Sequence, residues 1–255
     1  MDSRKIKSLI IDDDPFIQDL LNDKLSQYFP EVEVMATASS GTEGLEKIKT
    51  FQPDLIFLDV EMADMTGFEM LAKLDDIGFQ TIFITSYSHY AIKAIRFSAL
   101  DYLVKPIDLG ELKEAISRYK SNVAVNKRPN NVQQALINLK TKKVSDQTLV
   151  LHTQEGDMSL VLKDIIRLEG ERNYSYIYLA NSKKKLASKT LGDLEELLDD
   201  KGFFRCHKSH LINITHIDSY PNSVTILLSD STEIPVSRRK KETFKLWYDN
   251  YSKTT

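Results

Sequence analysis

The chain has 255 residues, of which 42% are hydrophobic and 28% charged, and its formal net charge is −3. This length exceeds what one typical hydrophobic core covers, so two domains are expected. No apolar run approaches the roughly 20 residues of a membrane-spanning helix, and Cys206 is the single cysteine. Composition therefore argues against a membrane-embedded or disulfide-stapled protein, and a cytoplasmic location is expected.

The charges are unevenly distributed between the two halves of the chain. Residues 1–123 carry 13 Lys and Arg against 21 Asp and Glu, whereas residues 124–255 carry 21 against 16. An acidic module is suited to hold a cation, and a basic module can approach a phosphate backbone. The same asymmetry also occurs where it serves solubility alone, so it needs support from motifs.

Short apolar segments alternate with helix-patterned segments through the first half, which predicts five βα units around a doubly wound parallel sheet. The predicted strands are 8–11, 32–36, 55–58, 81–84 and 102–104. The predicted helices begin near Pro15, Thr42, Gly67, Tyr90 and Leu109. Asp14 and Asp108 stand where the N-caps of the first and last helices are expected. The first half is therefore predicted to be an α/β domain.

Residues 123–146 break this alternation and are predicted to be a linker that contains a short helix. From Leu149 onward the segments LVLHT, MSLVL, IIRLE, YSYIYLA, KKLAS, SVTILL and TEIPVS predict a mostly β domain over residues 147–255. Two helices are expected within it, at 191–199 and 239–248. The apolar stripe of Leu191, Leu194, Leu197 and Leu198 should pack on the sheets.

Polar residues collect at the carboxyl ends of the predicted strands of the first half. They are Asp12, Asp13 and Asp14 after the first strand, Asp59 after the third, Thr85 after the fourth and Lys105 after the fifth. Sites in doubly wound sheets lie beyond these strand ends, so the side chains are expected to converge. A single Asp is more often a helix cap or a solvated loop residue, but their joint occurrence indicates a site.

Three carboxylates placed so close together would repel one another unless a cation neutralised them. Asp12, Asp13 and Asp59 offer only hard oxygen ligands, which suit an octahedral Mg²⁺. With that charge in place Asp59 can act as a nucleophile toward a phosphoryl group, while Thr85 and Lys105 contact its oxygens. The Lys105–Pro106 peptide bond is expected to be cis.

The segments LIIDDDP, PDLIFLDVEMADMTGFEML, TIFITSYS and ALDYLVKP resemble the motifs of a response-regulator receiver domain over residues 5–122. The resemblance implies a flavodoxin-like (βα)5 receiver, residues 1–122, that a sensor histidine kinase phosphorylates on Asp59. It also implies a Mg²⁺ site formed by Asp13 and Asp59, with Asp12 acting through water and Glu61 through its backbone carbonyl. Asp14 departs mildly from the usual Asp-Asp-Glu triplet.

The resemblance further implies a switch at Tyr102, which turns inward when phosphorylation draws Thr85 toward the new charge. Tyr102 can equally be an ordinary surface tyrosine. An Asp nucleophile beside Mg²⁺ also suits a haloacid-dehalogenase-like phosphohydrolase, but such enzymes usually carry a second Asp two residues later, where this chain has Glu61. Slow self-dephosphorylation, not enzymatic turnover, is therefore expected.

Three segments of the second half, RLEGERNYSYIYL, FFRCHKSHLINITHI and IPVSRRKKETF, resemble the LytTR type of DNA-binding domain over residues 149–251. Base reading needs polar donors on loops, and the candidate DNA-contacting residues are Arg172, Asn173 and Tyr174 in one turn, His207 and Lys208 in a second, and Arg238, Arg239 and Lys240 in a third. The resemblance implies that Tyr174, Lys208 and Arg238 are the positions that face DNA. Arg238 is the candidate for a guanine contact. Residues 239–245 are alternatively a solvated helix face, and Asn213 is expected to be structural.

A zinc site built from Cys206, His207 and His210 is the weaker reading, because a second pair of ligands is missing from the sequence. The whole pattern predicts a response regulator that forms a homodimer when phosphorylated and binds repeated half-sites on double-stranded DNA, without a membrane partner. The alternatives are an adaptor whose second half binds protein and a metal-dependent phosphatase.

Overall fold

The structure, a computed structural model, describes residues 5–86, 101–124, 130–153, 156–220 and 224–252. Helices and strands are numbered over these residues. The chain divides into two compact units, Met1–Ile137 and Asn138–Thr255. In the ranges described, none of the helices is long and apolar enough to cross a membrane.

The first unit is built on a five-stranded sheet in the order β2-β1-β3-β4-β5, in which all neighbouring strands are parallel. The strands are β1 Ile6–Ile11, β2 Val32–Ala38, β3 Leu55–Asp59, β4 Gln80–Thr85 and β5 Asp101–Val104. All five predicted strands are confirmed. Every residue of β3 is buried, as expected for a central strand that is covered on both faces.

The helices of the first unit begin where the sequence predicts. They are α1 Pro15–Tyr28, α2 Gly41–Phe51, α3 Gly67–Leu71 and α4 Leu109–Ala124. Asp14 caps α1 by accepting a hydrogen bond from the N–H of Phe16, and Asp108 accepts the N–H groups of Gly110 and Glu111 at the start of α4. The helix predicted to begin near Tyr90 lies outside the described residues.

Two apolar clusters cover the two faces of this sheet. Ile10, Phe57 and Ile84 face the cluster that includes the apolar side of α1 and α4, and Leu9 and Phe83 face the opposite one. Neighbouring residues of one strand point to opposite faces, so each strand contributes to both clusters. The strand ends are thereby held in fixed positions, which is what a site beyond them requires.

A further helix, α5 Asn130–Lys140, occupies much of the segment predicted to be a linker. Val132 is only 1% exposed and belongs to the same apolar cluster as Phe83, and Leu136 and Tyr102 pack against that cluster. The boundary between the two units falls between Ile137 and Asn138, within α5. The short helix expected in this segment is confirmed as α5, and its packing against an apolar cluster of the first unit was not predicted.

The second unit is mostly β, as predicted. Its strands are β6 Thr148–Thr153, β7 Gly156–Val161, β8 Ile165–Glu171, β9 Tyr174–Leu179, β10 Lys184–Ala187, β11 Phe203–His207, β12 His210–Asn213, β13 Ile217–Ser219, β14 Thr225–Leu228 and β15 Glu233–Pro235. An antiparallel five-stranded sheet has the order β10-β9-β8-β12-β11, beside a three-stranded sheet β13-β14-β15 and the hairpin β6-β7. The helices are α6 Leu191–Leu197 and α7 Lys241–Ser252.

Buried apolar side chains fix both helices of the second unit. The four leucines of the predicted stripe are at most 4% exposed, and Phe244 of α7 is fully buried in a cluster with Ile212 and Ile226. Asn213 is buried, and its side-chain amide donates to the carbonyls of Leu162 and Ile165 at 3.0 and 2.8 Å. The structural role expected for Asn213 is confirmed.

The packing of α5 gives a testable prediction. Val132→Ala should lower the free energy of unfolding of the first unit by about 1 to 3 kcal/mol, because it removes buried methyl groups from a well-packed cluster. Far-UV circular dichroism should show the loss, while the fluorescence of Trp247, which lies in the second unit, should keep its transition. Leu139→Ala, at a position that is 55% exposed, is the control. Equal unfolding of wild type and Val132→Ala would contradict this packing.

Candidate functional site

The structure brings three acidic side chains together at the carboxyl end of the parallel sheet. Strands β1 and β3 are neighbours, with Ile11 opposite Leu58, so the residues that follow or end them are adjacent. Carboxylate oxygens of Asp12, Asp13 and Asp59 all lie within 4.8 Å of one another. Asp12 and Asp59 are buried and Asp13 is exposed, so the cluster is open to solvent on one side.

Lys105 provides the positive charge in this cluster. Its Nζ donates a hydrogen bond to Oδ2 of Asp59 at 2.7 Å and lies 2.8 Å from Oδ2 of Asp12. Lys105 therefore contacts both buried carboxylates at once. Burial by itself would lower the pKa of Lys105, but contacts with Asp12 and Asp59 outweigh burial and raise it. Lys105 is therefore held in its charged form, with its ammonium group among the carboxylates.

Asp12 bears the cost of burial in the cluster. Burial raises the pKa of its carboxyl group, and repulsion from Asp59 adds to this effect. Lys105 and the backbone N–H of Asp14, which donates to Oδ1 of Asp12 at 3.0 Å, oppose the rise. An additional cation at this point would stabilise the charged form further.

Backbone contacts position the loops that surround the acidic cluster. The N–H of Ala63 donates to Oδ2 of Asp13 at 2.9 Å, which joins the loop after β3 to the end of β1. Asp64, in the same loop after β3, accepts hydrogen bonds from the N–H groups of Gly41 and Thr42 at the start of α2. These donors lower the pKa of Asp64 to about 2.

Gln18 is a buried residue of α1 that sequence reasoning missed. Its side-chain amide donates to the backbone carbonyls of Asp12 and Ala38 at 2.6 and 3.1 Å and to Oγ of Ser39 at 3.2 Å. It thus connects the ends of β1 and β2. Its partners are mainly backbone groups, so residue types and spacing gave no signal for this role.

Gly67 explains how closely the loop after β3 returns to Asp59. A Cβ atom at this position would lie 2.4 Å from the backbone oxygen of Asp59. Only glycine permits that approach without displacement of the backbone. The first residue of α3 is therefore packed directly beneath the residue predicted to accept the phosphoryl group.

The remaining predicted residues of the first unit lie on β4, on β5 and in the loops that follow β3 and β5. Thr85 ends β4 and is buried, and its carbonyl accepts the N–H of Lys105 at 2.8 Å. The N–H of Glu61 donates to Oδ1 of Asp59 at 3.2 Å. Tyr102 on β5 is half-buried against the apolar cluster of the sheet. The Lys105–Pro106 peptide bond is cis, as expected.

The acidic cluster suits a hard divalent cation. Its donors are oxygen atoms only, and it concentrates three carboxylates around one ammonium group. Among the residues described, it is the one group of His, Cys, Asp and Glu side chains placed to hold a metal ion. Cys206 is fully buried, and burial raises its thiol pKa to about 12. A zinc site at Cys206, His207 and His210 therefore has no support within the described part of the chain.

In the second unit, three turns that carry predicted DNA-contacting residues lie side by side. The turn of Arg172 and Asn173 joins β8 to β9, a second turn joins β11 to β12, and a third segment follows β15. The N–H of Gly170 donates to the carbonyl of Ser209, and the N–H of Ser237 donates to the carbonyl of Cys206, both at 2.9 Å. These two bonds tie the three turns together at one end of the sheets.

Most predicted DNA-contacting side chains are open to solvent. The exposed ones are Arg172, Asn173, Tyr174, Lys208, Arg238, Arg239 and Lys240. His207 is half-buried, with Nδ1 2.8 Å from Oγ of Ser209. Arg238–Lys240 form a 3₁₀ turn before α7, so these three residues do not belong to the regular α-helix predicted from 239. The surface so formed is basic and carries forked and short polar donors.

Comparisons with known proteins match each half of the chain to a known domain family. The chain matches the response regulator receiver domain family over residues 8–117 and the LytTR DNA-binding domain family over residues 156–249. It is 29% identical over 249 residues to the transcriptional regulatory protein BtsR of Escherichia coli, with 94% of this chain and 98% of BtsR covered. It is 27% identical over 243 residues to the sensory transduction protein LytT of Enterococcus faecalis, with 93% and 96% covered.

A third relative is the sensory transduction protein LytT of Bacillus anthracis, 27% identical over 248 residues, with 91% of this chain and 95% of that protein covered. Both family matches fall on the segments whose motifs and geometry are described above. The chain belongs to the response regulators that combine a receiver domain with a LytTR DNA-binding domain. Its activity is the regulation of transcription, and the match to a DNA-binding domain favours this activity over the adaptor and phosphatase alternatives.

The environment of His210 gives a prediction on pH. Burial lowers the pKa of His210, the negative charge of Glu169 raises it, and the positive charges of Arg167 and His207 lower it further. The Nδ1 atom of His210 is buried and has no hydrogen-bond partner in the described part of the chain. The unfolded chain, with an ordinary pKa of about 6.5, then binds more protons than the folded one below that pH. The second unit should therefore lose stability as the pH falls through about 6.5.

Urea unfolding followed by Trp247 fluorescence at about pH 7.5 and about pH 5.5 measures this loss. His210→Gln should reduce the difference between the two pH values, because glutamine does not titrate in this range. His216→Gln, which alters a partly exposed histidine of the same unit, is the control. If His210→Gln keeps the wild-type pH dependence, His210 is not the source of the loss of stability at low pH.

Proposed function

We propose that a sensor histidine kinase phosphorylates Asp59 and that the phosphorylated chain pairs with a second copy to bind repeated half-sites on promoter DNA. The observation that carries this proposal is the position of Lys105, whose Nζ donates to the buried carboxylate of Asp59 at 2.7 Å beside Asp12. Asp59 is a buried carboxylate that has Lys105 as a donor and the solvent-exposed Asp13 beside it, and this arrangement is suited to accept and hold a phosphoryl group.

In the proposed transfer, a carboxylate oxygen of Asp59 attacks the phosphorus atom, and the bond from phosphorus to the donor imidazole nitrogen breaks. The donor histidine leaves as a neutral imidazole after it takes up a proton. Lys105 then pairs with a phosphoryl oxygen, and the hydroxyl of Thr85 donates to another. Slow loss of the phosphoryl group follows when a water oxygen attacks the phosphorus atom and the bond to the Asp59 oxygen breaks, which releases inorganic phosphate and restores the carboxylate.

Asp13 and Asp59 would hold Mg²⁺ in this site, with Asp12 acting through a water molecule and Glu61 through its backbone carbonyl. Bound Mg²⁺ would offset the carboxylate charge and withdraw electron density from the phosphoryl oxygens. The fit rests on the oxygen-only donor set and on the raised pKa of Asp12, whose charged form lacks sufficient compensation.

The proposed output is a change at Tyr102. Movement of Thr85 toward the phosphoryl group frees space next to Tyr102, which is half-buried on the neighbouring strand. Receiver pairing then brings two DNA-binding domains together, and the second domain binds at a raised effective concentration. Adjacent half-sites would satisfy both domains at once.

The phosphoacceptor assignment predicts the result of one substitution. Asp59→Asn should abolish stable phosphorylation by acetyl phosphate, because an amide oxygen does not form the acyl phosphate. Phosphate-affinity gel electrophoresis or intact mass spectrometry with Mg²⁺ present measures the phosphorylated fraction. Asp76→Asn, an exposed residue of the same unit, makes the same change in charge and should leave the reaction intact. Phosphorylation of Asp59→Asn at the wild-type level would exclude the proposed site.

The assignment of Arg238 predicts a loss of specificity. Arg238→Ala should weaken binding to a selected site by about 1 to 3 kcal/mol and relax the preference for one base pair, because a guanine contact is lost. Lys245→Ala is the charge-matched control on the exposed side of α7. Binding to single-base variants of a selected duplex is compared by gel shift. A uniform loss over all sequences would make Arg238 a phosphate contact instead.

A further inference from the structure

Arg205 spans the space between helix α6 and the turn that carries Lys208. Its Nη1 lies 2.8 Å from Oε2 of Glu195 on α6, and its Nη2 donates to the backbone carbonyl of Lys208 at 2.7 Å. The guanidinium group is planar, so two contacts on different nitrogens fix its orientation. The turn is thus held from the side of the helix.

A second bond holds the same turn from the side of the sheet. The carbonyl of Ser209 accepts the N–H of Gly170 in β8 at 2.9 Å. Two successive carbonyls, those of Lys208 and Ser209, therefore have fixed partners, while the side chain of Lys208 is exposed. The backbone of this turn is positioned before any ligand arrives.

Helix α6 is itself a rigid anchor for Glu195. The helix begins with a capping box in which Thr190 and Asp193 exchange hydrogen bonds, and its leucines are buried. It lies so close to β8 that a Cβ atom at Gly170 would be 3.0 Å from Cβ of Leu191. The backbone that carries Glu195 is accordingly fixed by the core of the second unit, and its carboxylate is held by Arg205.

We propose, on the basis of the DNA binding proposed above, that Glu195 and Arg205 are positioning residues that hold the Lys208 turn in the geometry that DNA requires. Glu195 orients the guanidinium group of Arg205, and Arg205 fixes the backbone of Lys208. The turn then presents Lys208 to DNA at a lower entropic cost, because its backbone is already ordered. A carboxylate thus supports DNA binding from within a basic domain.

This proposal and simple electrostatics predict changes in DNA affinity of opposite sign for one substitution. Glu195→Gln removes a negative charge from a domain that binds a polyanion, so general charge effects alone would tighten binding. Loss of the ion pair should instead weaken binding by about three- to tenfold, which is the range of a typical net hydrogen-bond contribution at a partly exposed position. Glu196→Gln makes the same change in net charge at the next position of α6 and is the matched control.

The probe is a duplex that the wild-type full-length chain selects in vitro from a random-sequence pool. Affinity is measured by fluorescence anisotropy at several salt concentrations, and thermal unfolding confirms that each variant is folded. Glu195→Gln should keep the wild-type salt dependence, because no phosphate contact is removed. Lys208→Ala should reduce the slope of log affinity against log salt concentration by about one counterion if the Lys208 ammonium group contacts a phosphate.

Arg205→Lys completes the test, because it keeps the positive charge but loses the planar fork. The proposal expects this variant to bind as weakly as Glu195→Gln, and the double variant to bind no more weakly than either single one. It is overturned if Glu195→Gln binds as tightly as Glu196→Gln, or if Arg205→Lys keeps the wild-type affinity. A salt slope reduced in Glu195→Gln would also overturn it.

Discussion

The crowding of like charges at the end of the parallel sheet is the constraint on which the first unit depends. Asp12 and Asp59 are buried side by side, and such a pair persists only with a compensating cation. Lys105 supplies one charge from a third strand, which is possible because β1, β3, β4 and β5 are parallel and end at the same edge. The fold therefore creates the repulsion and also places the group that relieves it.

In the second unit the structural requirement is to hold the turns that carry the basic side chains. Its exposed arginines and lysines are on turns, and a long basic side chain on an unsupported turn would lose much entropy on binding. Backbone hydrogen bonds at Ser209 and Cys206 fix the turns to one another, so that only the side chains remain to be ordered. In both units the strands determine where charged groups meet.

The sequence alone predicted the strands of the first unit, the helix caps at Asp14 and Asp108, and the convergence of distant acids, because these follow from periodicity and from the geometry of parallel strands. It did not predict the contacts of Gln18, Asp64 or Arg205. Each of these side chains bonds to backbone groups, which every residue possesses, so residue type carries no signal. The packing of α5 was missed because its polar residues conceal a narrow apolar stripe around Val132.

Net charge is consequently a poor guide to which residues control each unit. In the acidic unit the group in contact with two carboxylates is a lysine, and in the basic unit the group that orients Arg205 is a glutamate. In each case the residue opposite in sign to its surroundings is restrained by attraction to its neighbours, while like charges repel one another. The majority charge attracts the ligand over a distance, and the minority charge fixes the geometry in which the ligand is met.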